Sequence, residues 1–201
     1  NMASPSFWIS LAISSLTSTT VVLAHSLRST TSITQVIVDA SGAQIAGIAI
    51  RPSAGKGLGA FSIRPRAAGE LVADYVGEIL TEREKNARYL GDKRTADDDA
   101  WLASRRERGV GLSGDYILGV GNGLFIDAED PEYANFARYF NHNANPNMAL
   151  KTLPRGIGDK PRAWFVTLRD VCEGEELCFD YGPDYWFDGE LPVSSEDAEQ
   201  P

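Results

Sequence analysis

The alternation of apolar and polar positions predicts a chain built mainly from short β-strands. Within residues 163–171, Trp164, Val166 and Leu168 point to one face of a strand and their neighbours point to the other. Similar runs at residues 71–80, 123–127 and 176–179 predict further strands, and those at residues 35–39 and 44–50 predict a hairpin.

One helix is marked clearly at its start. Thr81 and Glu84 form a T-x-x-E capping box, and residues 82–90 are rich in helix formers. Residues 91–114 then form a polar insert that we predict to be helical around residues 100–106. Such a charged run usually forms a solvated face, and contact with a substrate is the alternative. The sum is a mainly β domain with one or two short helices.

Size and charge narrow the class of protein. The chain has 201 residues, which suffices for one domain with a core of its own and an appendage. Its formal net charge is −9, and an acidic surface repels phosphate backbones, so we expect no direct contact with nucleic acid. The same charge favours a basic partner such as a Lys/Arg-rich protein tail, although solubility alone explains it equally well.

The two ends differ from the middle of the chain. Residues 1–34 form a leader or a packing segment, because residues 1–27 hold no Asp, Glu, Lys or Arg. A targeting signal is the less favoured of these two explanations, and scattered Ser and Thr make the segment a poor membrane span. Residues 188–201 form an acidic tail that we predict to be flexible.

The cysteines and histidines do not suggest a metal site. Cys172 and Cys178 cannot supply four zinc ligands, and a single His142 nearby is a poor addition to them. No disulfide scaffold is indicated either. We interpret Cys178 as a small core residue within a strand.

Five short blocks carry the candidate chemistry. They are a glycine loop at residues 55–61, Y-V-G-E at 75–78, Tyr116, an Asn-rich run at 135–147 and G-E-E-L-C-F-D-Y-G at 174–182. Closely spaced glycines let a backbone approach a ligand, and Asn offers both a donor and an acceptor to an amino acid or an adenine edge. Taken singly, each block is explained as well by a turn or by a core tyrosine.

In this order, the blocks resemble those of the SET-domain protein lysine methyltransferases over residues 51–186. The specific matches are N-H-x-x-x-P-N at residues 141–147 and the final E-L-x-F-D-Y-G. The resemblance implies a SET-domain fold of small curved sheets in which the last two motifs form a C-terminal pseudoknot. We assign residues 35–187 to this domain, with residues 91–114 as its insert.

The resemblance also implies a role for individual residues. Residues that would hold the cofactor S-adenosylmethionine are Lys56, Gly57, Leu58, Gly59, Tyr116, Arg138, Asn141 and His142. Tyr181 would be the catalytic tyrosine, and Tyr75 would line the lysine channel. Phe179 stands where the family controls the number of methyl groups, and Phe there implies di- or trimethylation.

Two departures from the family pattern concern the end of the domain. Asn143 stands where many members have Ser, which is a small change between polar residues. Many members also carry a cysteine-rich zinc segment after the final tyrosine, whereas no cysteine follows Cys178 here. Tyr185, on the substrate side, and Trp186, beside the cofactor, would close the pocket with aromatic surface instead; packing on the core is the equal alternative.

Methyl transfer by such a site is physically reasonable. A free lysine has a pKa of about 10.4, and an apolar channel beside a positive sulfonium would lower it, so that a neutral amine could attack. We therefore expect a methyltransferase acting on a basic protein tail, with histone as a candidate, in the nucleus or cytoplasm. The alternatives are a non-catalytic SET-like module that binds a tail, and an enzyme for a non-histone protein, in an organelle if the leader is a transit sequence.

Overall fold

The computed structural model describes residues 42–156, 160–182 and 185 of the chain. The predicted segments 1–34 and 188–201, half of the predicted hairpin and Trp186 lie outside the described residues. No helix within the described ranges is long and apolar enough to cross a membrane.

The described chain is mainly β, as predicted, with four small sheets and few short helices. Its strands are β1 (Ile48–Ser53), β2 (Gly57–Ser62), β3 (Leu71–Asp74), β4 (Glu78–Thr81), β5 (Ile117–Gly121), β6 (Leu124–Asp127), β7 (Asn141–His142), β8 (Met148–Leu153), β9 (Arg162–Thr167) and β10 (Cys178–Phe179). Residues 42–45 are helical, and the helices after them are α1 (Glu82–Lys85), which continues as a π-helical turn (Asn86–Leu90), α2 (Ala96–Glu107) and a 3₁₀ turn (Phe136–Tyr139). The sheets have the orders β1-β2, β3-β9-β8, β4-β6-β5 and β7-β10, and only the last pair is parallel.

The glycine loop covers the turn of the β1-β2 hairpin and most of β2. Ser53 pairs with Gly57, so the turn lies at residues 54–56, and residues 57–61 belong to β2. Gly55 and Gly57 have φ values of 72° and 75°, which favour glycine over any residue with a Cβ. The hairpin predicted around residues 40–43 is wrong, because residues 42–45 are helical and the strand begins only at Ile48.

The strand predicted over residues 71–80 is two strands in different sheets. β3 pairs with β9, whereas β4 pairs with β6. The break falls near Gly77, where a Cβ would overlap the backbone carbonyl of Asp127. This close approach of two backbones turns the chain from one sheet into the next.

The insert is helical as predicted, but its charged residues are not all solvated. Asp98 and Arg105 of α2 are completely buried. The Asp98 carboxylate accepts hydrogen bonds from Arg83 at 2.7 Å and from Arg88 at 3.0 Å, and these bonds hold its pKa well below the usual range. The prediction of a merely solvated face is therefore wrong for the inner side of this helix, because the main domain supplies buried partners of opposite charge.

Arg105 fixes the insert to the β4-β6 sheet. Its guanidinium donates to Glu78 at 2.5 Å, to Asp127 at 2.8 Å and to the hydroxyl of Tyr89 at 2.8 Å. It also lies over the ring of Trp101, 4.0 Å from the centroid. A buried arginine with several acceptors is tolerated, whereas an unpaired one would be costly.

The core beneath the site is aromatic. Phe165 of β9 is fully buried, and its ring lies 4.9 Å from that of Phe140, 4.8 Å from that of Phe179 and 6.2 Å from that of Tyr75. All three contacts are edge-to-face, the geometry that aromatic pairs favour. Strands from separate sheets are thereby joined below the residues that the sequence marks as functional.

The C-terminal segment lies between β2 and β7, which is the contact that the expected pseudoknot requires. The N–H of Leu177 donates to Ala60 of β2 at 2.8 Å, while Cys178 pairs with Asn141 of β7. Cys178 is buried in a strand, as predicted, and burial raises the pKa of its thiol to about 12. This pairing of β7 with β10 brings Asn141 and His142 next to Tyr181.

Candidate cofactor and lysine site

The glycine loop presents open backbone at one end of the site. No atom of the described residues lies within 4 Å of the positions that a Cβ would take at Gly55 and Gly57. Lys56 between them is exposed, and its Nζ donates to the backbone carbonyl of His142 at 2.9 Å. The loop is thus fastened to β7 and still leaves space for a ligand.

Asn141 links this loop to the C-terminal segment. Its Nδ2 donates to the carbonyl of Leu58 at 3.1 Å and to Oε1 of Glu176 at 2.7 Å. Gly59 lies beside this pair, and a Cβ there would collide with the Glu176 carboxylate and lie 3.0 Å from Asn141 Nδ2. Leu58, Gly59, Asn141 and Glu176 thus form a polar cradle, and this cradle needs a glycine at position 59.

Arg138 offers hydrogen-bond donors that the described protein does not use. Its guanidinium lies over the ring of Tyr116, 4.1 Å from the centroid. Its Nε and Nη1 are buried, and neither has a hydrogen-bond partner among the residues that the structure covers. Buried donors without partners are rare, and an anionic group of a ligand would satisfy them.

Two tyrosine hydroxyls are anchored by backbone carbonyls. The hydroxyl of Tyr181 donates to the carbonyl of Phe140 at 2.9 Å, and that of Tyr75 donates to the carbonyl of Tyr116 at 2.9 Å. Burial raises the pKa of both phenols far above neutrality. Both are therefore neutral at physiological pH, and each hydroxyl is held in place by the carbonyl to which it donates.

An aromatic wall surrounds Tyr181. Its ring centroid is 4.8 Å from that of Phe179, 4.5 Å from that of Tyr185 and 5.5 Å from that of His142. Burial raises the pKa of the Tyr185 phenol as well, with Asp115 as the next cause. The wall is therefore aromatic, and its polar atoms are the phenolic oxygens and the ring nitrogens of His142.

His142 helps to fix the backbone of Tyr181. The N–H of Tyr181 donates to Nδ1 of His142 at 3.2 Å, so this nitrogen is an acceptor and carries no proton. Burial lowers the pKa of His142, although the carboxylate of Asp180, 3.6 Å away, opposes this shift. The neutral ring is thus the form that the geometry requires.

The predicted site residues fall into two connected groups. The glycine loop, Asn141 and His142 are held together by direct hydrogen bonds. Tyr75, Tyr116 and Arg138 lie together across the aromatic core. Tyr181 contacts the first group through His142, and it reaches Tyr75 through the rings of Phe179 and Phe165. Trp186 lies outside the described residues.

Glu176 is a site residue that sequence reasoning missed. The adjacent Glu175 pairs with Arg169 at 2.5 Å, which lowers its pKa to about 2. The carboxylate of Glu176 instead reaches Asn141. Glu175 and Glu176 precede β10, and their side chains have different partners. Nothing in the motif itself indicates which of the two faces the site.

Comparison with known proteins identifies the family. The family model described as "SET domain" matches residues 57–182, more than half of the chain. The chain therefore belongs to the SET-domain family.

Individual relatives share about a third of the aligned residues. "Histone-lysine N-methyltransferase Su(var)3-9" of Drosophila melanogaster is 31% identical over 144 residues, which cover 70% of this chain and 20% of the relative. "Probable histone-lysine N-methyltransferase set-23" of Caenorhabditis elegans is 33% identical over 129 residues, 63% of this chain and 46% of the relative. "Histone-lysine N-methyltransferase, H3 lysine-9 specific" of Schizosaccharomyces pombe is 30% identical over 152 residues, 72% of this chain and 26% of the relative. The chain thus spans less than half the length of each of them.

Among solved structures, a chain of "ctPRC2 in an autoinhibited conformation bound to S-adenosylmethionine" is similar with a TM-score of 0.49 and 26% identity. The match covers 68% of this chain and 15% of that chain.

Proposed function

We propose that this protein is an S-adenosylmethionine-dependent protein lysine methyltransferase that acts on a basic protein tail, with histone tails as the first candidates. The observation that carries the proposal is the parallel pairing of β7 and β10. It places the polar groups around Asn141 next to the half-buried Tyr181, whose N–H is bound by His142, the residue after Asn141. Membership of the SET family and the names of its relatives support the same activity.

The polar groups of the cradle fit the amino-acid part of the cofactor. Both Nδ2 hydrogens of Asn141 are directed at oxygen acceptors, and no hydrogen bond in the described ranges uses its Oδ1. That oxygen would accept from the cofactor's ammonium, and the unpartnered N–H groups of Arg138 would meet its carboxylate. The backbone of residues 55–59, which is open at Gly55 and Gly57, and the His142 backbone would bind the adenosine part.

The aromatic residues would prepare the target lysine. When bound, S-adenosylmethionine supplies a methyl group bonded to a sulfonium sulfur, and this sulfur becomes a neutral thioether when the methyl group is transferred. Phe179, Tyr181 and Tyr185 would exclude water and thereby favour the uncharged amine over the ammonium. The hydroxyl oxygens of Tyr75 and Tyr181 are held at fixed positions, where they would orient the amine and accept C–H contacts from the methyl group.

The net charge of −9 supports a basic substrate. Positive peptides would be attracted to the protein before docking, and the rate of association should fall as salt is added. If histones are the substrates, the protein acts in the nucleus.

Mass spectrometry of a histone mixture incubated with the protein and the methyl donor tests the proposal. We expect the mass of a lysine to rise by about 14 Da for each methyl group that replaces a hydrogen. Calorimetry with S-adenosylhomocysteine, the demethylated product, separates the alternative function. A non-catalytic module would bind the tail without binding this compound and without any change in peptide mass.

A further inference from the structure

The carboxylate of Glu176 determines which way the Asn141 amide faces. We propose that Glu176 is a positioning residue for cofactor recognition: it holds the amide so that Oδ1, and not Nδ2, is presented to the ligand's ammonium. The inference rests on the proposed function, because it concerns how that cofactor is recognised.

The hydrogen bonds leave only one orientation of the amide. Nδ2 of Asn141 faces two oxygen atoms, the carbonyl of Leu58 at 3.1 Å and the carboxylate of Glu176 at 2.7 Å. Both can only accept, so the nitrogen must point towards them and the oxygen must point away. A flipped amide would place three acceptors together.

The backbone that carries this carboxylate is fixed by several hydrogen bonds. The backbone carbonyl of Glu176 accepts from Asn147 at 2.7 Å, the residue forms an antiparallel bridge with Phe61, and the next N–H donates to Ala60 at 2.8 Å. The lack of a Cβ at Gly59 leaves the space that the side chain occupies. The Glu176 side chain therefore starts from a fixed backbone and fills this space beside Asn141.

Removal of the carboxylate should release the amide. The terminal torsion of Asn is broad and roughly two-fold, so it depends on its partners for a unique orientation. With only Leu58 as an acceptor, the amide could turn and present N–H groups to an ammonium, which is also a donor. The negative charge of Glu176 near the ligand's positive charge would be lost as well.

Calorimetry with two ligands tests this role. The ligands are S-adenosylhomocysteine and an analogue of it that lacks the α-amino group, and the variants are Glu176→Ala and Glu176→Gln. We expect Glu176→Ala to weaken binding of the amino compound about tenfold, the effect of one hydrogen bond to a charged group, and to leave the analogue nearly unchanged. Glu176→Gln keeps a neutral acceptor, so the amino compound should weaken only about threefold.

A matched control lies in the same segment. Glu173 is exposed and makes no hydrogen bond within the described ranges, so Glu173→Ala should bind both ligands as the wild type does. If Glu176→Ala weakens both ligands equally, or neither, Glu176 does not position the amide. If Glu176→Ala does not fold, Glu176→Gln is the test: equal weakening of both ligands, or of neither, would again show that Glu176 does not position the amide. Absence of binding by the wild type is a separate result, which would refute the proposed function itself.

Discussion

Asn147, which follows β7, is hydrogen-bonded to the segment of residues 175–178 that leads into β10. Its replacement should destabilise the domain strongly. The side chain is buried, and its Nδ2 donates to the Glu175 carboxylate at 2.9 Å and to the Glu176 carbonyl at 2.7 Å. Its Oδ1 accepts from the N–H of Cys178 at 2.9 Å. Asn147→Ala would remove all three bonds and leave two buried backbone groups without partners.

The expected loss follows from these three bonds. At about 1 kcal/mol for each, and somewhat more for the bond to a carboxylate, Asn147→Ala should lower the free energy of unfolding by about 3–4 kcal/mol. For a domain of this size that corresponds to a decrease in Tm of about 10 °C. Urea denaturation followed by circular dichroism measures the change.

Asn145→Ala is the matched control, because Asn145 is exposed and its side chain makes no hydrogen bond in the described chain. It should change the free energy of unfolding by less than about 0.5 kcal/mol. A loss below about 1 kcal/mol for Asn147→Ala would refute the reasoning, since it would mean that water or a rearranged loop replaces all three bonds.

Three further predictions concern the insert, the channel and pH. Arg105→Met should lower the free energy of unfolding by about 3–5 kcal/mol in urea denaturation, because it leaves Asp127 buried without its cation; a change below about 1 kcal/mol would contradict this. Phe179→Tyr adds a hydroxyl to the wall beside Tyr181, so mass spectrometry should detect fewer methyl groups per lysine; an unchanged or longer methyl series would be the opposite result. His142 has a lowered pKa, so its contribution to stability should be full above about pH 6.5 and decline as the pH falls below that value. His142→Asn keeps an acceptor for the same N–H and should lose less stability than the wild type between pH 7.5 and pH 5.5, as measured by thermal unfolding; equal losses would argue against a role for this ring.

Local chemistry predicted the start of helix α1 correctly. The capping box of Thr81 and Glu84 is formed by both of its hydrogen bonds. A second box, formed by Thr95 and Asp98, begins the insert helix and was missed. The usual capping-box signature has Glu or Gln at this position, not Asp. Asp98 also binds Arg83 of α1 and Arg88 of the π-helical turn.

Long-range contacts explain what the sequence could not predict. Nothing near Gly77 indicates that its backbone touches that of Asp127, yet this contact divides one predicted strand into two. The burial of Arg105 depends likewise on acceptors 22 and 27 residues away. In the candidate site, the family motifs predicted roles for Asn141 and Tyr181. The role proposed for Glu176 depends on its contact with Asn141 of β7, which no local signal indicates.

Methyl transfer by the wild type and by Tyr181→Phe tests the central proposal most directly. Radiolabelled methyl donor and a histone mixture give the rate, and Tyr133→Phe serves as a control because Tyr133 is exposed and lies against Arg108. We predict transfer by the wild type and the control, and a rate lower by about a hundredfold for Tyr181→Phe, the typical effect of removing one preorganised polar group. Equal rates for all three proteins, or no transfer by any of them, would contradict the account.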